Sequence, residues 1–278
     1  MATGFAVPAY AQPARQQVVP AHTNPSDVAP AVLGRAVYLV DASTGKVHLS
    51  KQAAQRMPVA SLTKVMTAYI VLKKAKPTDT VEITSDDVRY AQDGGGTSAY
   101  LRAGDRLTVE DLLYGLMLPS GADAAHALAR TYGPGITGFT AEMNATAREL
   151  GMRDTMYLNA DGLPTPNGEG YSTAQDQARL AKAALRNPML KTVTSSQSHV
   201  VAETADHGAY TWSNTNKLLG TPGVLGMKTG YTRAAGYSLT FAADRNGHQL
   251  VGVILGEAVS SRRFETAGRL LDWASVNT

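Results

Sequence analysis

The chain has 278 residues, 44% of them hydrophobic and 18% charged, with a formal net charge of +3 and no cysteine. That length and apolar content can bury one large core and exclude a disordered chain, while the missing cysteines exclude disulfides, thiolate metal sites and a cysteine nucleophile. Lysine and arginine are scattered along the chain, so no nucleic-acid partner is expected, although a polyanionic surface such as a cell wall is compatible.

Ala9-Tyr10-Ala11 has the A-x-A spacing that precedes signal-peptide cleavage, and a Gln/Pro/Ala-rich stretch follows it to about residue 30. A basic n-region and most of an apolar h-region are missing. Residues 1–30 are therefore read as a truncated export signal plus linker, with a plain disordered tail as the alternative. No run of 18 apolar residues follows, so no transmembrane span is expected. The Leu33–Val40 and Lys46–Leu49 runs flank turn formers and read as a hairpin. A helix is expected from Ser61 to about Lys74, stopped by Pro77 and apolar almost all round, hence buried. Helices Val109–Met117 behind a Thr108 cap, Ala122–Tyr132, Ile136–Leu150 and Thr173–Leu185 follow, separated by Gly or Pro. Strands Gly226–Gly230, Gly236–Ala243 and Gln249–Gly256 come next, the last two joined by the Asp244–Gly247 turn, and Ser260–Ala274 closes the chain as an amphipathic helix. Strands at both ends around a helical middle imply an α+β fold, an antiparallel sheet built from both chain ends with a helical subdomain, as one domain over residues 31–278.

Three short stretches carry chemistry. Ser61-Leu-Thr-Lys64 puts a serine at a helix start and a lysine one turn on. A serine there is ordinarily a cap and a lysine ordinarily solvated, yet Lys64 falls in an apolar segment, where burial disfavours its charge as a general base requires. Taken alone, Ser61 reads first as a helix cap, with a nucleophile beside its base as the alternative; the two motifs that follow lead to the expectation that it does both. A second S-x-x-K, Ser43-Thr-Gly-Lys46, falls in the hairpin turn and has a local explanation there. Ser120 follows Pro119 at the joint between two helices, and Lys228-Thr229-Gly230 lies on a strand, where glycine lets a ligand approach the backbone. Each has an adequate structural explanation alone; S-x-x-K, a serine motif and K-T-G in that order do not.

In these residues the sequence resembles the D-alanyl-D-alanine carboxypeptidases, the low-molecular-mass penicillin-binding proteins. The likeness runs from about residue 33 to 276 and includes "RMPVASLTKVMTAY", "GGGTSAYLRAGDRLTVEDLLYGLMLPSGADAA", "NTNKLL" before "GMKTGYT", and "RRFETAGRLLDWA". It departs from the family at Ala122, where the middle motif usually has Asn. The resemblance implies a β-lactamase/DD-peptidase-like fold and a Ser61 acyl-enzyme that releases the terminal D-alanine of a peptidoglycan stem peptide. It further implies Lys64 as base, Ser120 as proton relay, the Ser61 and Tyr231 N–H groups as oxyanion donors, and Lys228, Thr229 and Arg263 as carboxylate holders. Arg263 also reads as an exposed helix charge beside Arg262.

No cofactor or metal is expected: the six histidines lack metal-binding spacing, and Asn159–Gly162 has only the start of a calcium loop. The Gly94–Gly96 run lacks a phosphate-loop lysine and reads as a flexible loop near the cleft. β-Lactams are the expected covalent inhibitors, and the periplasm or extracellular cell-wall space is the expected location. A D,D-endopeptidase, a class A-like β-lactamase and a non-catalytic peptidoglycan-binding module are the alternatives. For the second of these, Glu169 lacks the E-x-x-x-N setting of a deacylating glutamate.

Overall fold

The computed structural model describes residues 1–3 and 28–277, so the Ala9-x-Ala11 pattern lies outside the described residues. In chain order the elements begin with β1 (Ala36–Asp41), β2 (Val47–Lys51) and β3 (Met57–Pro58), then a 3₁₀ turn over Ala60–Thr63 that runs into α1 (Lys64–Lys74). Next come β4 (Thr80–Glu82), α2 (Ser85–Asp93), β5 (Arg106–Thr108), α3 (Val109–Met117), α4 (Ala122–Tyr132) and α5 (Gly135–Glu149). After them lie β6 (Tyr171–Ser172), α6 (Ala174–Ala184), α7 (Pro188–Ser195), β7 (Ser198–Val201) and β8 (Tyr210–Ser213). The chain closes with β9 (Val224–Thr232), β10 (Gly236–Arg245), β11 (His248–Glu257) and α8 (Arg262–Ser275).

Both chain ends build the main sheet, whose antiparallel order is β2-β1-β11-β10-β9. Apart from the edge strand β2, which is partly exposed, its strands are buried on both faces and divide their side chains with period two. Val37, Leu39, Leu239, Phe241, Leu250 and Ile254 pack with Leu270 and Leu271 of α8. Ala36, Val40, Val251, Val253 and Leu255 belong to the larger core on the other side, together with α1 and the helical part. α1 contacts α3, α4, α5 and α6, and Val65, Met66, Ala68, Ile70 and Val71 are at most 1% exposed. The buried helix and the sheet from both ends agree with expectation.

Local chemistry explains the boundaries. Thr84 caps α2 in a reciprocal box with Asp87, Thr108 caps α3, and Thr173 caps α6. In the β1–β2 turn Asp41 accepts the Ser43 N–H at 2.8 Å and the Thr44 hydroxyl at 2.7 Å. The second S-x-x-K is thus a turn, with Lys46 donating to the Asn277 carbonyl at the far end of the chain.

One expectation is corrected. Ser61 does not cap α1: the 3₁₀ turn begins after Val59, α1 begins after Thr63, and neither start has a side-chain cap. The serine sits inside the tight turn, and its hydroxyl is directed elsewhere.

Candidate active site

β9 is an edge strand, and the turn carrying Ser61 packs against it. A Cβ added at Gly230 would come within 2.9 Å of the Val59 carbonyl oxygen and 3.3 Å of the Ser61 nitrogen, so the approach requires glycine. Between this junction, the α3–α4 joint and the loop after α2 opens a cleft of about 420 Å³. Ser61, Ser120, Thr229, Gly230, Tyr231 and Arg263 line it, together with Gly95 and Gly96 of the glycine run that closes α2.

Lys64 reaches the serine from below. Its Nζ donates to Ser61 Oγ at 3.0 Å and to the main-chain carbonyl of Asp161 at 3.0 Å. The residue is 1% exposed, and burial lowers its pKa to about 8, opposed by the negative charges of Asp161 and Asp123. An amine so placed can take a proton from the hydroxyl it touches.

Lys228 lies beneath the same cleft, also 1% exposed, with its Nζ donating to the Thr229 carbonyl at 3.0 Å. Burial first, then the charges of Lys64 and Arg263, push its pKa well down. The Thr229 hydroxyl shares a 2.7 Å hydrogen bond with Thr215, a further cleft residue that the sequence motifs did not single out. Arg263 is not an exposed helix charge. It is 8% exposed, its Nη1 donates to the carbonyls of Gly230 and Ser238 at 3.1 Å each, and its guanidinium lies over the Tyr237 ring. Burial lowers its pKa to about 10. Three crowded basic groups, of which Arg263 keeps its charge and Lys64 and Lys228 regain theirs beside an anion, favour an anionic group in the cleft, where no carboxylate is found among the described lining residues.

Ser120 sits at the joint of α3 and α4 with φ +72°, 5% exposed, and its hydroxyl has no hydrogen-bond partner among the described residues. Two other non-glycine residues with positive φ adjoin the motifs, Ala60 at +49° beside Ser61 and Met227 at +103° beside Lys228. Strain of this kind persists where the surrounding structure fixes it, and here it marks all three motifs. Ala122, where the family usually has Asn, opens α4 fully buried, and its N–H donates to the Thr97 carbonyl at 2.8 Å. Asp123 beside it accepts from Ser98, Ala99, Leu101 and Ala124, and so fixes the loop that forms one cleft wall.

Every site residue expected from sequence therefore meets at one place. The neighbours of these residues that sequence reasoning missed are Asp161, Asp123 and Thr215. Asp161 stood in the "NADG" stretch, where Gly162 N donates to Asn159 Oδ1 at 2.7 Å, a turn pattern that signals a tight loop but not its proximity to Lys64.

The chain is similar to known proteins over most of its length. A curated D-alanyl-D-alanine carboxypeptidase of Streptomyces is 34% identical over 249 residues, covering 85% of this chain and 85% of the relative. The Escherichia coli carboxypeptidase DacC is 35% identical over 88% of this chain, which spans 62% of that longer relative. Among solved structures, the Streptomyces DD-transpeptidase superposes with a TM-score of 0.84 at 33% identity, covering 90% of this chain and 99% of that one. A Mycobacterium tuberculosis D-alanyl-D-alanine carboxypeptidase gives 0.83 at 31% identity, with 94% and 96% covered. The family profile described as D-alanyl-D-alanine carboxypeptidase matches residues 23–259, and the chain belongs to that family of serine peptidases.

Proposed function

We propose that Ser61 attacks the carbonyl between the last two D-alanines of a peptidoglycan stem peptide, forms an acyl-enzyme and expels the terminal D-alanine. The observation that carries this reading is the buried Lys64 amine, 3.0 Å from the Ser61 hydroxyl and lowered to about 8. As the Oγ–C bond forms, Lys64 takes the hydroxyl proton. Ser120, whose hydroxyl is otherwise unpartnered, passes a proton to the departing amine. The N–H groups of Ser61 and Tyr231 hold the developing oxyanion, a backbone role that leaves the Tyr231 side chain free. Lys228, Thr229 and Arg263 draw in the substrate carboxylate, and an anion arriving beside Lys228 restores the charge that burial suppresses. Arg263 acts through its field, since its Nη1 is engaged with the main chain of β9 and β10. Water then releases the shortened peptide.

The substrate places the enzyme in the exported cell-wall space, and no described helix is long and apolar enough to cross a membrane. β-Lactams acylate the same serine. Glu169 is held by the Thr232 hydroxyl at 2.8 Å, and a slowly hydrolysed penicillin adduct is expected, in contrast to a β-lactamase. One relative, from Pseudomonas aeruginosa, is named a D-alanyl-D-alanine endopeptidase at 32% identity, which motivates cross-linked dimers as a second substrate. The test is release of D-alanine from a peptide ending in D-Ala-D-Ala, with a cross-linked dimer in parallel. Ser61→Ala and Lys64→Ala are each expected to lose activity by about 10³-fold or more. Lys228→Ala is expected to act chiefly through KM. Undiminished release by Ser61→Ala would overturn the mechanism.

A further inference from the structure

Asp161 belongs to the loop between α5 and β6, and the acyl-enzyme chemistry above makes no use of it. It is fully buried directly under Lys64, and the loop is strapped to α1 where Thr67 donates its hydroxyl to the Ala160 carbonyl at 2.6 Å. Gly162 carries the loop past Ala60 at φ +83°, so close that an added Cβ would lie 1.9 Å from the Ala60 oxygen. The Asp161 main-chain carbonyl accepts the Lys64 amine, and its Oδ1 accepts the Leu163 N–H at 2.9 Å. Its Oδ2 is buried and has no hydrogen-bond partner among the described residues. A buried carboxylate with an uncompensated oxygen is costly unless a positive charge answers it.

The charged groups around Lys64 show which cation that is. From α4, Asp123 presents a carboxylate already satisfied by four donors. From α6, which packs against α1, the acidic residue Asp176 turns to Thr155 and Arg179 and does not act on Lys64. From α2, the Tyr90 phenol faces Asp161, and burial, that negative charge and a long hydrogen bond to the carboxylate keep it protonated, a neutral donor that leaves the charge itself unanswered. From β9, Lys228 opposes a charge on Lys64, with Arg263 of α8 behind it. Also from α4, His126 shares a pocket with Asp161 and Tyr90, but its Nδ1 is paired with Asp87 at 2.7 Å and its ring stacks on Tyr90. Lys64, whose amine already donates to the Asp161 carbonyl, is the lysine or arginine that answers Asp161.

We propose that Asp161 is a positioning residue of the acylation step, its main-chain carbonyl aiming the Lys64 amine at Ser61 and its buried carboxylate serving as the counter-charge that governs when that amine releases its proton. Asp161 takes no proton itself: the Ser61 O–H bond breaks, the proton goes to the neutral Lys64 amine, and the carboxylate decides at which pH that amine is neutral. The inference rests on the reading of Lys64 as general base.

Asp161→Asn keeps the main-chain carbonyl and an acceptor for Leu163 while removing the charge. In stopped-flow acylation by a chromogenic β-lactam, the acid limb of the pH–rate profile is expected to move to lower pH by about one unit, so that acylation below the limb is about tenfold faster. A purely structural role would change the rate or the melting temperature and leave the limb in place. An unmoved limb, or one that moves to higher pH, overturns the proposal. Asp161→Ser, which also loses the charge and retains an acceptor, serves should the Asn variant not fold. If neither folds, an NMR titration of isotope-labelled lysine in Ser61→Ala decides: a Lys64 amine titrating near 8 or above supports the counter-charge, and one titrating below about 7 contradicts it. Lys64→Ala is run alongside. If it acylates at the wild-type rate, the base assignment itself fails; if it is inactive while the Asp161→Asn limb stays put, only the counter-charge is lost.

Discussion

At the residue scale, the turn that carries Ser61 depends on close approaches that no larger side chain permits. Gly162 is the sharpest case, since φ +83° and the Ala60 oxygen both forbid a Cβ. Gly162→Ala is expected to destabilise the fold by more than about 1 kcal/mol and to slow acylation by displacing Ser61, as read by urea denaturation and penicillin labelling. Unchanged labelling would mean that the loop yields without moving the serine. The motif residues were legible in the sequence through the order of three motifs and the family they resemble, since spacing alone would equally have marked Ser43 and Lys46. Asp161 and Thr215 were not, because one polar residue in a loop has no period and reveals its role only by what the fold brings beside it. The capping role expected of Ser61 fails for a physical reason: the residue lies within a 3₁₀ turn, and its hydroxyl is taken by Lys64.

At the element scale, the long helices and the β10–β11 hairpin were readable from apolar periodicity and turn residues, with Asn246 and Gly247 both at positive φ in the turn. The helix α2 is mostly polar and buries only Asp87 and Ala91, while the eight-residue α7 with its Asn187 cap and Pro188 start and the two-residue strands carry too few residues for a pattern to emerge. The sheet makes its own predictions. Phe241 lies opposite Gly252, and a Cβ built there would sit 2.1 Å from the ring. Gly252→Ala is expected to cost about 1–3 kcal/mol in urea denaturation, with the K-T-G strand beyond β10 disturbed as well. Asp41 ties the β1–β2 turn to β11, its Oδ2 2.7 Å from His248 Nδ1. Burial raises the Asp41 pKa, but hydrogen bonds from Thr44, His248 and the turn N–H groups outweigh it and bring the carboxyl to about 2. Because the folded value lies below the unfolded one, this stabilisation is present above about pH 4 and disappears as pH falls towards 2. Asp41→Asn should therefore flatten the dependence of melting temperature on pH across that window; an unchanged slope would assign acid sensitivity elsewhere.

At the scale of the whole molecule, the two chain ends complete one sheet whose edge strand β9 forms one wall of the cleft. The helical middle supplies the other walls and holds Lys64 in a core that keeps water from it. Ser61 with Lys64, Ser120, Lys228 and Arg263 come from four separate stretches of sequence and converge because the sheet and the helices pack together. The central claim is that Ser61 forms the acyl-enzyme, and intact-protein mass after incubation with benzylpenicillin tests it most directly, followed over time with Ser61→Ala beside the wild type. A single long-lived adduct on the wild type, missing from Ser61→Ala, is the predicted result. An adduct of equal amount on Ser61→Ala, or none on a folded wild type, would contradict it.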